Sequence, residues 1–108
     1  MKLNIYEKRK IVKTYEADEY ELTFGVLEDV ASAIKLDSIT TGSDAELMKL
    51  AMAAVLQNID TVKDLMIDIF DCSEDDLRHA SVKDMARVLT DVAKTTLRQL
   101  KEGLGGKN

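Results

Sequence analysis

Two periodicities divide this chain. Near its start, Leu3 and Ile5 alternate with polar neighbours, and Ile11-Val12-Lys13-Thr14-Tyr15 is rich in β-branched and aromatic residues. Glu7-Lys8-Arg9-Lys10 between them is a polar break, so the pattern predicts a β-hairpin over about 2–6 and 10–17. The loop contains neither Gly nor Asn, which leaves the turn type open. A lone two-stranded hairpin is marginal in water, so this one must lie on helices or gain strands from another chain.

From Thr23 the period becomes helical. Thr23 can cap a helix over about 24–35 whose apolar face is Phe24, Leu27, Val30, Ala31 and Ile34. It is followed by a loop from Leu36 to Gly42. Ser43 with Glu46 is a capping box that opens a helix over about 44–58. Leu47, Met48, Leu50, Ala51, Met52, Ala54, Val55 and Leu56 cover most of that helix's circumference. Such a helix is buried on more than one side, as the central helix of the domain or as half of an interface. Asp60 can cap a helix over 61–70 with Val62, Leu65, Met66, Ile69 and Phe70 inward. Ser73 caps a short helix over 74–79 anchored by Leu77. Ser81 caps the last helix, about 82–101, with Val82, Met85, Ala86, Val88, Leu89, Val92, Ala93, Thr96, Leu97 and Leu100 as its apolar stripe. Gly103 ends it as a left-handed cap, leaving 103–108 as a flexible tail. The fold class is therefore α+β and mostly helical: an N-terminal hairpin followed by a bundle of four to five α-helices, forming one domain over residues 1–102.

Composition adds three constraints. At 108 residues, 45% hydrophobic and 32% charged, the chain is of ordinary globular type, and with only 5% aromatics its core is aliphatic. Proline is absent, so no helix is interrupted by a ring. The single cysteine, Cys72, cannot form an internal disulfide, and the N-terminus lacks the apolar run of a signal peptide or membrane span. A cytoplasmic location with no membrane partner follows as the expectation.

Charge is segregated along the chain. Residues 1–13 carry a net +4, 14–29 hold six acids and no base, 60–76 hold seven acids against Lys63, and 77–108 carry a net +4. The total is −5. Copies of such a molecule can meet with opposite charges facing, which makes homo-oligomerisation an expectation.

Candidate chemistry is sparse. His79 has no Cys or second His at ligand spacing, so it reads as an exposed structural residue. Cys72 reads as a small hydrophobe. The acids Asp60, Asp64, Asp68, Asp71, Glu74, Asp75 and Asp76 lack the alternation and central glycine of a calcium loop. Gly103-Leu104-Gly105-Gly106 follows a helix, whereas a phosphate loop precedes one. Neither enzymatic activity nor a cofactor or metal is expected. The segment from Ser73 to Leu100 has the outline of a helix-turn-helix, with Arg78, Lys83, Arg87, Lys94 and Arg98 as phosphate contacts. The negative net charge and the neighbouring aspartates oppose that reading, so nucleic acid is the weaker expectation.

Asp60-Thr-Val-Lys-Asp-Leu, Asp68-Ile-Phe-Asp, Glu74-Asp-Asp-Leu and Val82-Lys-Asp-Met-Ala-Arg-Val-Leu-Thr-Asp-Val, with the opening Met1-Lys-Leu-Asn-Ile-Tyr and Leu22-Thr-Phe-Gly-Val-Leu-Glu-Asp, resemble the tail assembly chaperones of long-tailed phages and prophages of Gram-positive bacteria. The resemblance covers nearly the whole chain and rests on patterns of helix and charge. It implies a non-enzymatic protein that coats the tape measure protein during tail assembly in the host cytoplasm and is absent from the finished virion. It also implies a frameshifted longer form that recruits the major tail protein. A client of that kind is a long helical protein rich in apolar surface, and Met48, Met52, Met66 and Met85 beside Leu and Val offer a pliable surface for it. The candidate interaction residues are Leu3, Ile5, Ile11 and Val12 of the hairpin, whose edges can add strands from a neighbour, and Met48, Met52, Val55 and Leu56 of helix 44–58.

Overall fold

A computed structural model describes residues 1–17, 23–35 and 38–105. The acids Asp18, Glu19 and Glu21, residues 36 and 37 of the Leu36–Gly42 loop, and residues 106–108 of the C-terminal tail lie outside them. The architecture is α+β and mostly helical: a two-stranded antiparallel hairpin, β1 (Lys2–Glu7) and β2 (Lys10–Glu16), followed by α1 (Phe24–Ala33), α2 (Asp44–Gln57), α3 (Ile59–Phe70), α4 (Glu74–Leu77) and α5 (Val82–Gly105).

The hairpin turn is two residues long, with Lys8 at φ 52° and Arg9 at φ 69°. Two consecutive left-handed residues are the type I′ geometry, whose twist matches that of the strands. Here it is built from two residues that resist it. A bulge follows where Ile5 faces Lys13 and Tyr6 faces Ile11, leaving Val12 without a partner in the ladder.

The outer edge of β1 is covered from within the chain. The Tyr6 N–H donates to the His79 carbonyl (2.8 Å), the Ser81 N–H to the Asn4 carbonyl (3.1 Å), and the Asn4 N–H to Asp84 Oδ2 (3.1 Å). The link between α4 and α5 therefore acts as a third strand over Asn4–Tyr6. On the other strand, Lys13 Nζ (3.2 Å) and the Tyr15 hydroxyl both donate to Asp76 of α4. The Tyr15 hydroxyl first, and Lys13 second, hold the Asp76 carboxyl below the usual range.

Within the helical part, α2 packs on α5 and α1 on α3, while β1 lies against α5. The α2–α5 pair is antiparallel, since Lys94 pairs with Asp44 and the Thr90 hydroxyl meets Met48 Sδ at 3.6 Å. Leu3, Val30, Leu47, Val62, Leu65, Met66, Leu89 and Val92 fill the aliphatic core between these layers.

One helix face and several boundaries depart from the sequence pattern. Helix α1 buries Val26, Val30, Ala33 and Ile34 and leaves Phe24 and Ala31 exposed. The Thr23 hydroxyl accepts the Val26 N–H (3.2 Å), so Phe24 is the first helical residue and sits on the outer side of that phase. Helix α3 begins at Ile59, so Asp60 does not cap it. Asn58 alone joins α2 to α3, donating its N–H to the Ala54 carbonyl (2.8 Å) and accepting from the Val62 N–H (3.0 Å). Helix α4 ends at Leu77 rather than 79, because Arg78 and His79 turn into the strand-like link. Gly103 does not stop α5, which continues to Gly105; glycine can adopt right-handed helical angles as well as left-handed ones.

The capping box at α2 takes an extended form. The Glu46 N–H donates to Ser43 Oγ (3.2 Å), and the Glu46 carboxylate accepts the backbone N–H groups of Thr40 (2.9 Å), Thr41 (2.9 Å) and Gly42 (2.8 Å) together with both threonine hydroxyls. Gly42 turns the loop at φ 68°, which suits a residue without a Cβ.

Candidate interaction surface

The eight candidate residues separate into two groups. Leu3, Ile5 and Val55 are core residues, which corrects their assignment to a contact surface. Leu3 and Ile5 are on the hairpin face pressed against the helices, opposite Tyr15 and Lys13 in the ladder. Val55 faces the core from α2. Met66 is likewise fully buried. Ile11, Val12, Met52 and Leu56 are exposed, and Met48 is half-buried at the α2–α5 seam.

The strand edges are correspondingly altered. Since Asn4 and Tyr6 are bonded to the α4–α5 link, the β1 edge is unavailable for strand addition. The β2 edge carries the bulge at Val12 together with Lys10 and Lys13, features that blunt an edge. Ile11 and Val12 remain as exposed side chains rather than as part of a flat pairing template.

Met48, Met52 and Leu56 stand at i, i+4 and i+8 along α2, and so form one stripe. Their exposure rises along it, from half-buried Met48 to 37% for Met52 and 70% for Leu56. Beyond Asn58 the stripe continues with Ile59, 63% exposed. The antiparallel pairing brings the start of α5 to this end of the bundle, where Val82 is 48% exposed. Ile59 and half-buried Met85 line a cleft of about 280 Å³ with Leu77, Arg78 and the Lys63–Glu74 ion pair (3.1 Å). The corner formed by α2, α3 and α5 is thus an apolar surface floored by aliphatic and methionine side chains and edged by charge.

Sequence reasoning missed Ile59 and Val82. Ile59 follows Leu56 at i+3, but a helix capped at Asp60 hides that continuity. Val82 fits the α5 stripe by spacing, and only the end of the neighbouring helix leaves it uncovered.

Charge is divided by face. Glu28, Asp29, Asp64 and Asp68 gather where α1 packs on α3. Burial first, then the carboxylates of Asp68, Asp64 and Glu28, raises the Asp29 carboxyl above its ordinary value. Among the described residues, no group of three His, Cys, Asp or Glu side chains is arranged to hold a metal ion. Lys83, Arg87, Lys94, Arg98 and Lys101 are exposed along α5, and of these only Lys94 has an ion pair among the described residues. Cys72 is buried, its thiol raised chiefly by that burial, and it meets the Met66 carbonyl at 3.7 Å. His79 is exposed and serves the fold through its backbone carbonyl. Among the described residues, no helix is long and apolar enough to cross a membrane.

No family model, curated protein or solved structure matches this chain.

Proposed function

We propose that this chain is a non-enzymatic assembly chaperone of the phage tail type, which shields apolar helical segments of a tape measure protein in the host cytoplasm and is released before the virion is complete. The observation that carries the proposal is the stripe Met48–Met52–Leu56–Ile59, half-buried at Met48 and exposed beyond it, joined by exposed Val82 and half-buried Met85 at one corner of the bundle. Unbranched methionine side chains adapt to varied partners, and a helical stripe of this spacing accepts an amphipathic helix along its length. The resemblance of the Asp60–Val92 segment and of the chain's opening to tail assembly chaperones supports the same reading. Further copies of the chain, and the major tail protein through a frameshifted longer form, complete the set of partners that the resemblance implies.

A helix-turn-helix reading has less support. Helix α4 is a single turn, and the start of α5, which would enter the groove, is held by β1 through Ser81 and Asp84.

Co-expression with helical segments of a phage tape measure protein tests the proposal. The chain should co-purify with those segments and keep them soluble, and Leu56→Ser with Ile59→Ser should abolish both effects. Retention of duplex DNA with a steep salt dependence, and no retention of the segments, would overturn it.

A further inference from the structure

We infer that the α2–α5 face is built for a helix whose own flank is acidic. This rests on the proposed client-binding role and names the chemistry of the client. The exposed cations Lys83, Arg87, Lys94, Arg98 and Lys101 fall within about 60° of one another when α5 is projected at about 100° per residue. They form a ridge about 27 Å long at about 1.5 Å per residue.

That ridge borders the apolar stripe. Arg87 lines the same seam as Met48, Thr90, the Asp44–Lys94 pair and Asp91, an acid one turn beyond it, so the excess positive charge beside the track lies at the Leu56 end, with Lys83 and Arg87. Since α2 and α5 are antiparallel, Leu56 and Lys83 lie toward the same end. The seam thus presents an apolar track on α2 and a cationic rail on α5. A helix seated with its apolar residues on Met48, Met52 and Leu56 places one polar flank over Lys83 and Arg87, where carboxylates are favoured.

A second copy of this chain fits the seat poorly. Its acids Glu28, Asp29, Asp64 and Asp68 are opposite in sign to the rail, but the apolar residues of its α3 (Val62, Leu65, Met66 and Phe70) are buried beneath them. Such a copy would satisfy the rail but bring only Phe24, exposed one turn before Glu28, toward the track and leave most of it uncovered. A nucleic acid would also use the rail alone, against a net charge of −5.

Fluorescent amphipathic peptides of about five turns, identical in their apolar stripe and bearing Glu, Gln or Lys on one flank, provide the test. The full-length chain should bind the Glu peptide about tenfold more tightly than the Lys peptide at low salt, with the Gln peptide between them. The preference should shrink as salt rises. Lys83→Glu with Arg87→Glu should invert the order, and Lys83→Gln with Arg87→Gln should level it. Leu56→Ser should weaken all three peptides by a common factor. Equal binding of the three peptides by the wild-type chain, still weakened by Leu56→Ser, would overturn the acidic-flank inference and leave the apolar client site standing. Binding unaffected by Leu56→Ser would count against both. Duplex DNA bound more tightly than any peptide, or a dimer dissolved by the charge reversal, would overturn the assignment of the occupant.

Discussion

Replacing Leu56 by alanine separates a contact surface from a core. Leu56 is 70% exposed, so about a third of its side chain is covered in the isolated chain. Full burial of a leucine contributes about 1.5–3 kcal/mol, and the covered fraction therefore contributes less than about 1 kcal/mol. The higher helix propensity of alanine offsets a few tenths of that. Leu47, about two and a half turns earlier on the same helix, is fully buried, and its truncation should cost about 2–5 kcal/mol through lost transfer energy and the cavity left behind. Urea unfolding followed by far-ultraviolet circular dichroism measures both. Leu56→Ala should move the midpoint slightly and leave the slope unchanged, whereas Leu47→Ala should lower stability several-fold more. Thermal midpoints should follow at about 4–8 °C per kcal/mol for a domain near this size. A loss of about 2 kcal/mol or more for Leu56→Ala would show that the residue is a core element, and the interaction surface would have to be redrawn without it.

Three further outcomes test the local physics. Lys8→Asn with Arg9→Gly should stabilise the fold by about 1–2 kcal/mol, because each left-handed non-glycine residue of the turn costs roughly 1 kcal/mol; unchanged stability would remove the two-residue turn geometry. Thr96 is fully buried and its hydroxyl has no hydrogen-bond partner among the described residues, so Thr96→Val should raise stability by about 1 kcal/mol; a lowered melting temperature would show the hydroxyl to be satisfied. The Glu46 carboxyl is held down to about 2, chiefly by the Thr40 N–H and then by Gly42 and the Thr40 hydroxyl. Its contribution is present above the ordinary value of 4.5 and should be lost as pH falls from there toward 2. Wild type should therefore lose stability relative to Glu46→Gln across that window, and parallel pH profiles would contradict the carboxylate's role.

Local chemistry made the elements readable. Thr23, Ser43, Ser73 and Ser81 each cap the helix that the sequence assigns to them, since an N-cap hydroxyl acts within one turn and needs no tertiary information. The alternation of Leu3 and Ile5 likewise placed β1. What escaped the sequence depends on who packs against whom. The β1 edge reads as free because nothing local announces that His79, Ser81 and Asp84 cover it from about eighty residues away. Val55 and Leu56 are neighbours of equal hydrophobicity, and only the position of α5 decides that one is core and the other surface. Ile59 was masked by a plausible cap at Asp60, when the single residue Asn58 makes the whole turn. The contact surface was thus legible in residue type, through its methionines, and illegible in extent.

The methionine methyl groups give the most direct test of the central claim. Spectra of the methyl-labelled chain, titrated with a helical tape measure segment, would report Met48, Met52 and Met85 on the proposed surface and Met66 in the core as an internal control. The Met52 resonance should shift most, with Met48 and Met85 following, and Met66 should stay in place. A titration that moves Met66 as much as Met52, or that saturates with Met52 and Met48 unmoved, would contradict it.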